Sequence, residues 1–233
     1  MTGFNFDTVR PGDHPQNNIN IMIDTETLGV DVGAPVITIG ATLFDPFTCD
    51  SSEELLRRSL LIRVDIQDAV DLADRVDGNT VRWWFEQNDD AIKALVGDDA
   101  ISMKEALLRL FNYCSSRIPR ADDDFFQGIS QLPPATSFWA KDPDFDMRLL
   151  EFFYQKLDIQ KPWKFYDCRS VRTVQDLAWP NGRIDRPSFE IPGVAHDARW
   201  DAISQALTIQ AAIYRLGQSR DQDVEFKTWN GVK

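Results

Sequence analysis

Residues 21–27, IMIDTET, set two carboxylates, Asp24 and Glu26, into an otherwise apolar run. Side chains of a strand alternate between its faces, so Met22, Asp24 and Glu26 share one face and Ile21, Ile23 and Thr25 the other. Like charges held that close resist joint ionisation, and a chain that sets them side by side supplies a divalent cation or a shared proton. The plainer alternative is a strand that ends at Ile23, with DTET opening a solvated turn. Residues elsewhere decide between the two.

Working outward, LGVDVGAP carries turn residues, and VITIGATLF (Val36–Phe44) is β-branched enough to form a second strand, antiparallel to the first after so short a connection. Arg58–Ile66 reads as a third strand, so the domain opens with an antiparallel meander. From Asn79, placed as an N-cap, NTVRWWFEQNDDAIKALV has no Gly or Pro before Gly97 and reads as a helix. Ser102 and Glu105 form a capping-box pattern ahead of Ala106, Leu107, Leu110, Phe111 and Cys114 at helical spacing, which predicts a second helix.

Ser137–Lys141, SFWAK, reads as a short buried strand. PDFDMRLLEFFYQKL then predicts a helix that turns Leu149, Leu150, Phe153 and Leu157 inward, with Asp146 in its first turn. Arg169–Trp179 is read as a helix stopped by Pro180, Asn181 and Gly182, and Asp197–Leu216 as a long last helix carrying Asp201, with His196 at its entrance. Residues 1–18 read as a flexible N-terminal arm, 19–218 as one domain and 219–233 as a C-terminal tail. The loop 120–134 is the least structured internal stretch and is too short to link two domains.

The 233 residues suffice for one large domain with a buried core. A balance of 37 acidic against 25 basic residues gives a net charge of −12, which argues against broad attraction to nucleic acid or anionic membranes but not against an enzyme that takes phosphate through bound cations. Cys49, Cys114 and Cys168 are far apart and in no CxxC pair, so neither a disulfide framework nor a zinc site is indicated. No apolar run is long enough to span a bilayer, and the start lacks a signal-peptide core; the expectation is a cytoplasmic protein without membrane contact.

Acids are favoured in first turns by the helix dipole, so Asp146 and Asp201 have a purely structural reading of their own. Histidine is scarcer. His14 lies in the polar arm, leaving His196 as the candidate imidazole base, five residues before Asp201. D-T-E, then F-D early in a helix, then H-x4-D before a last helix has a coherent chemical use: two divalent ions about 4 Å apart need several oxygen ligands, one of them shared, and a base for the attacking water.

Here the sequence resembles the DEDDh class of 3′-to-5′ exonucleases, and within it the branch found in T-even bacteriophages and their bacterial relatives. IMIDTETLG is similar to the first motif of that class, FDMRLL to the second and VAHDARWDA to the third; TVRWWFEQ and KPWKFYDCRSVRT look like its connecting segments. The likeness runs from about Ile21 to Leu216. It implies an α/β, ribonuclease-H-like fold: a central mixed five-stranded sheet, antiparallel meander first, flanked by helices. It also implies two divalent ions, Mg²⁺ or Mn²⁺, with Asp24 bridging both, Glu26 and Asp201 completing the site of the catalytic ion and Asp146 serving the other. His196 would take the proton of the attacking water. Thr27 and Leu28 would meet the terminal nucleotide, and Phe145 would line the cleft.

The implied substrates are 3′ ends of single-stranded DNA or RNA, DNA favoured, released as nucleoside 5′-monophosphates in the cytoplasm, the host's if the chain is phage-encoded. Monomer and homodimer both stay open. Ser170 departs from the class, whose members commonly carry an acid there, and WAKDPDFD lacks the glycine common before the second motif. Trp83, Trp84 and Trp139 read as base-stacking groups or as core, and Arg148, Lys141 and Arg199 as phosphate contacts or solvated charge.

Two other classes compete. IDTET also resembles the D-x-D-x-T nucleophile motif of haloacid-dehalogenase-like phosphatases, although the second acid here is Glu and no apolar strand ending in paired acids follows. A non-catalytic, acidic protein-binding module on the same fold is the third reading.

Overall fold

A computed structural model describes residues 19–115, 137–182, 189 and 192–218. The predicted arm at 1–18, the loop at 120–134 and the tail at 219–233 lie outside the described residues.

The first described elements are β1 (Asn20–Thr27) and β2 (Val36–Phe44), antiparallel as predicted, with Asp24 opposite Gly40 and Glu26 opposite Thr38. A helix the sequence reading passed over follows: α1 (Ser52–Arg57), held by a capping box in which the Ser51 hydroxyl and the Glu54 carboxylate satisfy each other's backbone N–H. The third strand, β3 (Ser59–Arg63), stops short of the predicted Ile66, because Asp65 turns the chain by accepting the Asp68 N–H and so caps α2 (Ile66–Leu72).

The single helix expected from Asn79 is two. Asp77, not Asn79, caps α3 (Gly78–Phe85), and Asn88 breaks the run by accepting the Ala91 N–H at 2.8 Å, starting α4 (Asp89–Leu95). Before α5 (Met103–Ser115), Ser102 accepts the Glu105 N–H at 3.3 Å, while the Glu105 side chain pairs with Arg109 one turn on.

β4 (Ser137–Ala140) runs parallel to β1 and leads into α6 (Asp146–Lys156). The helix predicted from Arg169 begins later: Cys168–Ser170 is β5, parallel to β4, and Ser170 then caps α7 (Val171–Ala178) by accepting the Thr173 N–H at 3.3 Å. The serine that departs from the family pattern therefore supplies the local cap itself. The last described element is α8 (Ala198–Gln218).

Together the strands form the expected five-stranded mixed sheet, and their order is β3-β2-β1-β4-β5. Its faces divide the core as the alternation in IMIDTET requires. Ile21 and Ile23 pack with Leu107, Leu110, Leu150 and Phe153 on the side of α5 and α6. Met22 packs with Ala202, Ile203 and Ala206 of α8 on the other. Gly40 explains how close α8 comes: a Cβ there would lie 2.1 Å from the carbonyl carbon and oxygen of Ala198. The missing side chain lets the first turn of α8 rest on the sheet beside Asp24.

Among the described residues, no helix is long and apolar enough to cross a membrane.

Candidate active site

β1 carries Asp24 and Glu26 on the α8 face. Regular pairing breaks just after them: Glu26 faces Thr38 but Thr27 faces Val36, so β2 holds one extra residue there. A bulge of this kind re-aims the strand and ends the alternation, which leaves the two acids at its last regular positions.

Asp146 is the first residue of α6 and is 3% exposed. One of its oxygens, Oδ1, accepts both the Thr25 backbone N–H at 3.0 Å and the Thr25 hydroxyl at 2.8 Å. Asp24 is held from the opposite side of the sheet, where Gln205 of α8 donates its amide to Oδ1 at 2.6 Å. Asp201 stands one turn before Gln205. The start of α8 is fixed by Asp197, whose carboxylate accepts the Arg199 N–H at 3.0 Å and the Trp200 N–H at 3.3 Å.

His196 turns into the site through a left-handed backbone, φ 67°. Few residues other than glycine adopt that conformation, and where it occurs it is often at sites of function. Ligand atoms of Glu26, His196 and Asp201 all lie within 4.8 Å of one another, a spacing able to hold a metal ion. The imidazole meets Trp83 edge to face, with centroids 4.9 Å apart, and Trp84 at 6.0 Å. Trp84 is anchored in turn, its indole N–H donating to the Thr27 carbonyl at 2.9 Å.

Burial and mutual repulsion perturb these acids. Burial, then the charges of Asp146, Glu26 and Asp201, push Asp24 well above the usual carboxylate range, against the Gln205 hydrogen bond. Glu26 is pushed up to about 9 by burial and by Asp201 and Asp146, with Lys141 opposing. Burial raises Asp146 to about 7 in spite of the two Thr25 bonds. Asp201 is also raised by burial, with His196 and Lys141 pulling it back. Four mutually repelling carboxylates are a donor set suited to hard divalent cations, which would relieve that repulsion.

Beside the acids, a cleft of about 390 Å³ is lined by Thr25, Glu26, Thr27, Trp83, Trp84 and Phe145 among others. Phe145 and Thr27 both line this cleft. Leu28 packs against the core, with its backbone N–H on the Pro35 carbonyl and its own carbonyl accepting the Asp77 N–H. Of the tryptophans, Trp139 is core, its N–H donating to Asn20 Oδ1 at 2.7 Å, whereas Trp83 is 39% exposed on the cleft. Lys141 and Arg148 are exposed, and the Arg199 Nε is buried without a partner among the described residues.

Thr25 and Gln205 were not singled out from sequence. Period-two alternation puts Thr25 away from Asp24, and nothing in α8 marks Gln205 apart from its position one turn beyond Asp201.

Acids gathered at the end of a central strand, on a mixed sheet opened by a meander, are the arrangement expected of a DEDDh-type nuclease with a ribonuclease-H-like fold. A family model described as the 3′-5′ exoribonuclease Rv2179c-like domain matches residues 19–213, and the chain belongs to that family. It is therefore a metal-dependent 3′–5′ exonuclease acting on nucleic acid.

Among known proteins, it is similar to the exodeoxyribonuclease of Enterobacteria phage T4, 26% identical over 217 residues that cover 85% of this chain and 91% of that protein. Among solved structures, cell-death related nuclease 4 (CRN-4) shares the fold, with a TM-score of 0.51 and 14% identity over 85% of this chain and 64% of that one. The nuclease domain of 3′hExo, a DEDDh family member bound to rAMP, aligns with a TM-score of 0.47 and 12% identity, covering 88% of this chain and 94% of that chain.

Proposed function

We propose that the chain removes nucleoside 5′-monophosphates one at a time from the 3′ end of single-stranded nucleic acid, DNA in preference to RNA, with two divalent ions, Mg²⁺ or Mn²⁺. The observation that carries this is the meeting of Asp24, Glu26, Asp146, Asp201 and His196, drawn from three distant parts of the chain, at one end of β1. The preference for DNA rests on the likeness to the phage exodeoxyribonuclease along nearly its whole length.

In this reading Asp24, Glu26, Asp146 and Asp201 hold the ions. When bound, these ions polarise the scissile phosphate and lower the pKa of the attacking water. The protein's own part is placement. Thr25 fixes one oxygen of Asp146, the bulge after Glu26 presents the acids to the cleft, and His196 accepts the water proton at a ring nitrogen. Trp83 and Phe145 wall the cleft where the terminal nucleotide enters, and Lys141 adds positive charge beside Glu26 and Asp201. The enzyme works in the cytoplasm, in keeping with three free cysteines, one of them exposed.

The test is a 5′-labelled single-stranded oligonucleotide, as matched DNA and RNA, with Mg²⁺ or Mn²⁺ and with chelator. A descending ladder that disappears on chelation, faster on DNA, is the expected result. Release of free phosphate from small esters would point to the phosphatase chemistry, inertness to a binding module, and a faster ladder on RNA would overturn the substrate preference alone.

A further inference from the structure

We propose that Gln205 is a positioning residue for the cation site: it fixes the carboxylate of Asp24 for metal binding at the expense of the apoprotein's own stability. This rests on the reading of Asp24 as a metal ligand.

Three observations support it. Gln205 donates its Nε2–H to Asp24 Oδ1 at 2.6 Å, from one turn beyond Asp201 on the same helix. The residue is 8% exposed, yet its Oε1 is buried with no partner among the described residues. A buried acceptor without a partner is unfavourable, and once Asp24 is ionised, as a metal ligand is, the amide cannot be turned round without setting oxygen against oxygen. Its near neighbours along α8, Ala202 and Ala206, pack in the apolar cluster with Met22 and Phe44 of the sheet. What the glutamine does satisfy is one oxygen of Asp24, leaving the other for a cation. Partners of this kind, which hold a ligand from behind, commonly change metal affinity by about 10–100-fold when removed.

The experiment compares wild type with Gln205→Met, which keeps the volume and removes the donor, and with Gln205→Glu, which keeps the shape and replaces the donor by an acceptor. Mn²⁺ affinity is measured by calorimetry, thermal stability in chelator by circular dichroism, and kcat and KM on an oligonucleotide. The expected result is Mn²⁺ binding weakened about 10–100-fold in Gln205→Met and more in Gln205→Glu. KM should stay unchanged, the lost kcat should return at high Mn²⁺, and the midpoint of Gln205→Met in chelator should be equal to or above wild type.

Mn²⁺ affinity of both variants within twofold of wild type overturns the proposal. So does a midpoint in chelator that falls while affinity holds, since that is the mark of a packing role. If Gln205→Met does not fold, the affinity of Gln205→Glu decides alone. Wild type that binds no Mn²⁺ and shows no ladder would instead overturn the exonuclease reading itself.

Discussion

Thr25 and Asp146 lie 121 residues apart, and Thr25 gives both its backbone N–H and its hydroxyl to a single oxygen of Asp146. The two donors fix which way the carboxylate turns, and they join the end of β1 to the first turn of α6. Thr25→Val keeps the shape and the backbone bond but removes the hydroxyl donor. The expected cost is about 1 kcal/mol of stability, typical of one hydrogen bond, with a several-fold fall in kcat. Thr25→Ser should keep both near wild type. Urea denaturation and oligonucleotide kinetics check this pair.

The proposed base is tested by His196→Ala. The expected loss in rate is about 10²–10⁴-fold, the usual worth of a general base, with the stabilisation conferred by Mn²⁺ retained. His196 also stands within ligand distance of Glu26 and Asp201. Loss of the Mn²⁺-induced rise in melting temperature would therefore make the imidazole a ligand instead. Wild-type rate across neutral pH would falsify the base assignment.

Metal removal should expose the repulsion among the acids. Glu26 stands at about 9 and Asp146 at about 7 in the folded chain, against ordinary values of 4.5 and 3.8. Raised folded values mean that the folded state binds these protons more tightly than the unfolded one. Their contribution to stability is thus fully present below about pH 4 and is lost as pH rises toward about 9. In chelator the melting temperature should fall between pH 5 and pH 8.5, and Asp24→Asn should raise it at the upper end. Saturating Mg²⁺ should close most of the gap. A chelated protein equally stable at both values would show that burial and mutual repulsion do not raise these acids in the folded chain.

Gly40→Ala tests how α8 is seated. A Cβ at Gly40 would lie 2.1 Å from the Ala198 carbonyl and 2.3 Å from the Arg199 nitrogen, backbone atoms that cannot yield as a side-chain tip can. The expected cost is at least about 1–3 kcal/mol, with loss of kcat out of proportion as His196 and Asp201 move. Denaturant titration beside single-turnover kinetics separates the two effects.

Sequence reading went furthest where periodicity alone decides. Met22 on one face with Asp24 and Glu26, and Ile21 with Ile23 on the other, follow from a period of two, and the structure divides its core along that line. Helix starts were less legible. Ser51 and Glu54 carried an unread capping box, and Asp77 lay two residues before the asparagine assigned as a cap. At Arg169 a three-residue strand is too short to show a period and owes its form to pairing with β4. Gln205 on Asp24 and Ala198 against Gly40 were out of reach, because each is decided by where two distant segments meet in space.

The seating of α8 on Gly40 also bears on when this chain can first cut anything. His196 and Asp201 arrive with the last helix, whereas Asp24 and Glu26 are laid down at the outset. A polypeptide still emerging from the ribosome carries half of a blade. On the proposed assignment, competence comes only once α8 has been made and has docked on the sheet.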